Sequence, residues 1–262
     1  MLVLACVFPL SLDPIWPWPQ LARNSVKSGS GELSVDDVTF GFDQLYEHNK
    51  LWAQQRFMGV QCQQDPMDAW ILQEILFDCR PDLVIETGTQ NGGGTLFYAA
   101  MMQLYDPTAR VLTVDTLPVD SMKGMYSIPG FCARKGCLNA TDNPLWSKHV
   151  QFILGRSTDL HVLKAVREAA SKAKRVMVVL DSLHRYDNVL NELQSYHDIV
   201  TPGQYLIIQD TKLDRIRGTK SAKAAAHAFM QPGALGDGKF RLDKSREYLL
   251  YSQHSDGYLL RV

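Results

Sequence analysis

The stretch from Leu83 to Ala99, LVIETGTQNGGGTLFYA, constrains this chain more than any other. An apolar run ends in an acid, passes through a glycine-rich turn and enters an apolar helix start, so it reads strand, loop, helix. Glycines let backbone approach a ligand closely, and the N-terminus of the next helix offers free N–H groups. A dinucleotide fingerprint requires G-x-G-x-x-G, yet Gln90 stands two residues after Gly88. The spacing is instead Glu86-x-Gly88-x-x-x-Gly92. A carboxylate at Glu86 repels a pyrophosphate and suits a cationic ligand, and S-adenosylmethionine carries both an ammonium and a sulfonium. Glu86, Gly88, Thr89, Gln90 and Gly92 are therefore the expected cofactor contacts of this turn. The plainer alternative is a structural turn in some other α/β protein.

Around this unit strand and helix patterns alternate. Strands are expected at 82–87, Arg110 to Asp115, His149 to Leu154, Arg175 to Asp181 and Tyr205 to Asp210. Helices are expected at about 94–105, from Asp159 to about Ala173, and at 187–200, where Val189, Leu193, Tyr196 and Val200 share one face. Asp65 and Pro66 mark a further helix start, with Asp as N-cap and Pro at the first helical position. Val35 to Gln55 also has helical spacing. Phe240 to Leu242 and Glu247 to Ser252 read as a final hairpin before the closing GYLLRV. The expected fold is α/β: a Rossmann-like parallel sheet with an antiparallel C-terminal hairpin, helices on both faces, and ligands at the carboxyl ends of the strands. Such a plan suits a methyltransferase better than a dehydrogenase.

The expected organisation is an arm over residues 1–34, proline-rich and then Ser/Gly-rich, followed by one domain over 35–262. Residues 117–146 lack any period and are too long for an ordinary connection. Leaving the carboxyl end of the second strand, they read as a lid over the ligand site. A disordered insertion is the alternative, opposed by Met122, Met125, Tyr126, Phe131 and Trp146, which water would not favour.

A net charge of −1 without a long Lys/Arg run argues against nucleic acid and for a small-molecule acceptor. No run approaches the roughly 20 apolar residues of a membrane span. Met1 to Leu12 is apolar but lacks a basic leader, and reads as a tail or trimmed start, with a targeting remnant as the alternative. Five cysteines without metal-ligand spacing read as reduced thiols of a cytoplasmic protein. Cys132 and Cys137 form the only close pair, for which a local disulfide is the second reading. A homo-oligomer is compatible with this composition.

The strand ends carry a coherent set of polar groups. Asp115 is placed to accept from both ribose hydroxyls of a nucleoside. Ser157 can serve an adenine or cap the next helix. Asp181 and Asp210 end adjacent strands and could share a hard divalent cation such as Mg2+, with Gln209 giving a neutral oxygen. Such a cation lowers the pKa of a substrate oxygen. His184, three residues after Asp181, could take the proton; a solvated or structural histidine is the alternative.

The segments MGVxxxxxPMDAWxxQEI (58–75), RPDLVIETGTxxGG (80–93), NPLW and GRSTD (143–159), LDSxH (180–184), NVLNEL and VTPGQYLIIQDT (188–211) and the closing GYLLRV resemble the cephalosporin hydroxylase / rhamnosyl O-methyltransferase family. The resemblance covers roughly residues 40 to 262. It implies a class I methyltransferase fold, S-adenosylmethionine, and usually Mg2+ held by the acid of D-S-x-H, here Asp181, and by an acidic pair after the fifth strand. Asp210 matches the second acid of that pair, while Gln209 stands where the family usually has Glu. One negative charge is thereby missing, which weakens or removes metal binding. By analogy with catechol O-methyltransferase, His184 falls near the place of a catalytic lysine. The sequence reads as an S-adenosylmethionine-dependent methyltransferase acting on a hydroxyl of a small molecule. The alternatives are N- or C-methylation without metal, and a non-catalytic subunit related to cephalosporin hydroxylase.

Overall fold

The computed structural model describes residues 25–29, 31–119 and 136–262, so residues 1–24 and most of the expected lid lie outside the description. Where a plain linker was expected, Ser25–Ser28 (β1) and Gly31–Ser34 (β2) pair as an antiparallel hairpin. Ser34 then caps α1 (Val35–His48) through a reciprocal capping box with Asp37. A 3-10 turn at Leu51–Gln54 leads to a second small hairpin, β3 (Arg56–Phe57) and β4 (Val60–Gln61). Helix α2 (Pro66–Cys79) starts as its sequence dictates: the Asp65 carboxylate accepts from the backbone N of Met67 at 2.8 Å.

The body of the protein is a seven-stranded sheet. In chain order its strands are β5 (Leu83–Thr87), β6 (Arg110–Asp115), β7 (Val150–Leu154), β8 (Val176–Leu180), β9 (Tyr205–Ile208), β10 (Phe240–Leu242) and β11 (Tyr258–Arg261). They lie side by side as β7-β6-β5-β8-β9-β11-β10. Strands β5 to β9 are parallel, β11 runs antiparallel to β9, and β10 antiparallel to β11. The connecting helices are α3 (Gly93–Gln103), α4 (Pro144–His149), α5 (Leu160–Ala170), α6 (Tyr186–Tyr196), α7 (Leu213–Arg217) and α8 (Ala222–Phe229).

Alternation along the central strands builds a core on each face. Leu83, Ile85, Val178 and Leu180 pack on one side with Val162 and Val166 of α5, Leu193 of α6 and Phe229 of α8. Val84, Met177 and Val179 pack on the other with Ile71, Leu72 and Ile75 of α2 and Tyr98 of α3. Both faces are thus covered, which is why these strands read as unbroken apolar runs. Neighbour order reverses between β5 and β8, and at such a switch point the carboxyl ends of the strands open a crevice.

Two expectations are corrected. The partner of β10 is β11, not Glu247 to Ser252. Asp243 instead caps a 3-10 turn at Lys244–Glu247, and Leu250 and Asp256 adopt left-handed backbone that no regular strand contains. The cysteines are not all reduced thiols: Cys62 and Cys79 are free, but Cys137 is disulfide-bonded. No helix among the described residues is long and apolar enough to cross a membrane.

Candidate functional site

At the switch point, Gly88 (φ +94°) lets β5 turn beneath the end of β8: a Cβ there would run into the Asp181 carbonyl oxygen. The Gly88 N–H donates to Val114 O at 2.8 Å and the Asp181 N–H to Thr87 O at 2.9 Å, tying the ends of β6, β5 and β8 together. Around this knot lies a cavity of about 950 Å³, near the upper end of the roughly 300–1,000 Å³ of small-molecule sites. Glu86, Gly88, Thr89, Gln90, Asp115, Ser157, Asp181, His184, Gln209 and Asp210 all line it. Gly92 does not. Its left-handed backbone begins α3, and a Cβ there would stand 2.6 Å from Ala140 Cβ and 2.8 Å from the Trp146 ring. Gly92 therefore serves packing against the C-terminal part of the expected lid, while Gly93 and Gly94 line the cavity.

Glu86 is buried within β5, with Thr113 opposite it in β6. Thr113 Oγ1 donates to Glu86 Oε2 at 2.6 Å, and Thr95 Oγ1 donates to the same oxygen. Burial pushes the carboxyl up to about 7, against the pull of these two hydroxyls. Gln90, in left-handed backbone, donates its N–H to Asp115 Oδ2 at 2.8 Å, and Leu117 N–H donates to Asp115 Oδ1 at 3.2 Å. The turn and the ribose candidate are thus one unit. Ser157 does not cap α5, whose N-cap is Asp159. Its hydroxyl serves the buried Glu192, which also takes Ser182 Oγ at 2.7 Å.

His184 Nε2 lies 3.1 Å from Asp210 Oδ2 and 3.7 Å from Asp181 Oδ1. Donor atoms of these three residues lie within 4.8 Å of one another. Enclosure and the neighbouring Asp210 charge hold Asp181 well above the ordinary carboxylate range. Enclosure would raise Asp210 as well, but His184, Lys212 and His254 more than offset it and hold this carboxyl below its ordinary value. Burial depresses the His184 imidazole, favouring its neutral form. Gln209, expected to give a neutral oxygen, lines the cavity beside Asp181 and Asp210. Its Nε2 donates to Tyr98 Oη at 2.9 Å and to Gln64 Oε1 at 3.1 Å, which anchors the amide nitrogen in a buried polar network.

Several lining residues gave no sequence signal. Asp210 adopts left-handed backbone, and its N–H is accepted by Nδ1 of the buried His254 at 3.0 Å. Lys212, almost fully buried, pairs with Glu47 of α1 at 2.7 Å, so the helix before the sheet supplies one wall. Glu47, Trp52, Gln61, Gln63 and Gln64 line the cavity, whereas Trp70 is exposed and bonded to Glu74. Gln63 Nε2 is buried with no hydrogen-bond partner among the described residues.

The sequence profile of the Rhamnosyl O-methyltransferase/CmcI family matches residues 49–125 and 133–262. The rhamnosyl O-methyltransferase of Mycobacterium bovis (strain BCG / Pasteur 1173P2) is 28% identical over 180 residues, covering 68% of this chain and 66% of that protein. The one from Mycobacterium leprae (strain TN) is 27% identical over 191 residues, covering 72% and 75%. The chain thus spans just under two thirds of the length of the first of these relatives. Among solved structures, CmcI with Mg and S-adenosylmethionine superposes with a TM-score of 0.55 at 18% identity, over 80% of this chain and 77% of CmcI. The CmcI apo-structure gives 0.56 at 19% identity over the same shares. The structural match establishes the shared class I methyltransferase fold, and the profile match establishes that this chain belongs to the Rhamnosyl O-methyltransferase/CmcI family.

Proposed function

We propose that this chain is an S-adenosylmethionine-dependent O-methyltransferase of a small hydroxylated molecule. The observation that carries the reading is the His184 imidazole set against Asp210 and Asp181 in the cavity that the glycine turn also lines. When bound, S-adenosylmethionine supplies a sulfonium-borne methyl group, and a divalent cation supplies polarisation of the acceptor hydroxyl.

The chain's own residues do the positioning. Asp115, held by the Gln90 and Leu117 N–H groups, offers its remaining acceptor capacity to ribose hydroxyls. Gly94, with only Glu86 Oε1 near its missing Cβ, leaves room for close approach, and Gln63 Nε2 is a buried donor ready for the donor molecule's oxygens. Asp181 and Asp210 have the oxygen chemistry to hold a hard divalent cation, and their mutual repulsion favours one. Gln209 contributes no charge there. His184, kept neutral by burial, takes the proton of the acceptor hydroxyl on its imidazole and is stabilised as a cation by Asp210. His254 positions Asp210 by fixing its backbone.

The test is formation of S-adenosylhomocysteine from S-adenosylmethionine over a panel of hydroxylated acceptors, with Mg2+ or with chelator. Turnover that disappears in His184→Ala is expected. Cofactor binding without transfer to any acceptor under either condition would favour the non-catalytic reading.

A further inference from the structure

The cavity's formal charges do not pair off among the described residues. Its acids are Glu47, Glu86, Asp115, Asp181 and Asp210. Lys212 is used by Glu47, and Asp210 by His184. Arg156, Arg185 and Arg217 also line the cavity, and none of the three guanidiniums has a carboxylate within ion-pair distance among the described residues; Arg156 lies beside Ser157, while Arg185 adjoins His184. Arg185 and Arg217 are exposed, so these two arginines stand at the open side of the cavity.

Their placement is built rather than incidental. Arg185 directly follows His184 and forms an isolated antiparallel bridge with Ser221, whose hydroxyl donates to the His184 carbonyl. Arg217 ends α7, one short loop before Ser221, so the same contact brings it to the His184 side. The carboxylate best spaced to neutralise Arg217 is Asp214, one helical turn earlier. It is committed elsewhere, accepting from the N–H groups of Ser221 (2.9 Å), Lys223 (3.1 Å) and Ala224 (3.0 Å) at the start of α8. Arg217 lines the same cavity as His184 and Asp210. An arginine left unpaired beside a cavity is matched by planar oxyanions, which it binds in bidentate fashion.

We infer that Arg185 and Arg217 form an oxyanion subsite, and that the acceptor is a hydroxylated molecule carrying a carboxylate or phosphate that docks there while its hydroxyl faces His184. The inference rests on the methyltransferase reading for calling the bound molecule an acceptor; the anion site itself is tested by binding alone.

The test is calorimetric titration of the full chain, saturated with S-adenosylhomocysteine, with two matched pairs: 3,4-dihydroxybenzoate against catechol, and glucose 6-phosphate against glucose. At low ionic strength at least one anionic member is expected to bind tenfold or more tightly than its neutral partner. That preference should shrink with salt, and in Arg185→Gln/Arg217→Gln it should fall to the neutral level while affinity for S-adenosylmethionine is unchanged. Which pair shows the preference tells carboxylate from phosphate. Failure of both anionic probes to bind, or equal binding of charged and neutral partners, overturns the subsite. Loss of S-adenosylmethionine binding in the double variant overturns it too, because the arginines would then hold the methyl donor. Wild-type protein that binds an anionic probe but no S-adenosylmethionine would contradict the methyltransferase reading and leave the subsite standing.

Discussion

His184 Nε2 stands 3.1 Å from Asp210 Oδ2 and 3.7 Å from Asp181 Oδ1, so one imidazole joins the ends of two neighbouring strands. Removing it takes away the group that accepts the proton, not a group that holds the nucleoside. His184→Ala should lower kcat by about 10²- to 10⁴-fold, the usual worth of a positioned general base. Affinity for S-adenosylmethionine, measured by calorimetry, should stay within about twofold. A variant that keeps full turnover would remove His184 from the chemistry.

Glu86 makes a pH-dependent contribution to stability. Its ordinary value is 4.5, and burial raises it to about 7 in the folded state. Below pH 4.5 both folded and unfolded chains hold the proton, and the group costs nothing. As pH rises toward 7 the unfolded chain releases the proton first, so stability falls, and above 7 the loss is complete at roughly 3 kcal/mol. Glu86→Gln removes the titration. Ligand-free thermal melts from pH 4.5 to 8 should show the variant gaining on wild type as pH rises; parallel curves would contradict the shift.

Gly88 has two independent reasons to be glycine: its left-handed backbone and the Asp181 carbonyl that a Cβ would strike. Gly88→Ala should cost about 1–3 kcal/mol from the backbone alone, and more from the displaced end of β8. Gly203, equally left-handed but with nothing near its missing Cβ, is the control. Denaturant midpoints should fall more for Gly88→Ala than for Gly203→Ala.

His254 touches Asp210 through its backbone, so its role is positioning. His254→Ala leaves the part-buried Asp210 N–H without its acceptor, a loss of about 1–3 kcal/mol. His254→Asn, which keeps a short acceptor, should recover part of the stability and of kcat together. Recovery of stability without kcat would mean that the bond supports the fold alone.

The sheet was legible in the sequence because parallel strands buried on both faces are apolar runs, and RVLTVD, RVMVVL and YLII are such runs bounded by polar ends. The strand-end set was legible for the same reason: side chains just past a parallel strand point into the crevice. Glu247 to Ser252 misled because an extended-looking composition hides the left-handed Leu250 and the capping role of Asp243. Gly92 looked like a ligand contact because glycine spacing does not say which neighbour the missing side chain makes room for; here it is Ala140 and Trp146. The Gln209 network, His254 and the Glu47–Lys212 wall depend on contacts between segments far apart in the chain, and no local pattern encodes them.

The most direct measurement is titration of S-adenosylmethionine into the wild-type protein, Asp115→Ala and His184→Ala by isothermal calorimetry. The account predicts one binding site in wild type, affinity weakened at least tenfold (about 1.4 kcal/mol) in Asp115→Ala, and affinity unchanged in His184→Ala. No binding to wild type, or Asp115→Ala binding as tightly as wild type, would contradict it.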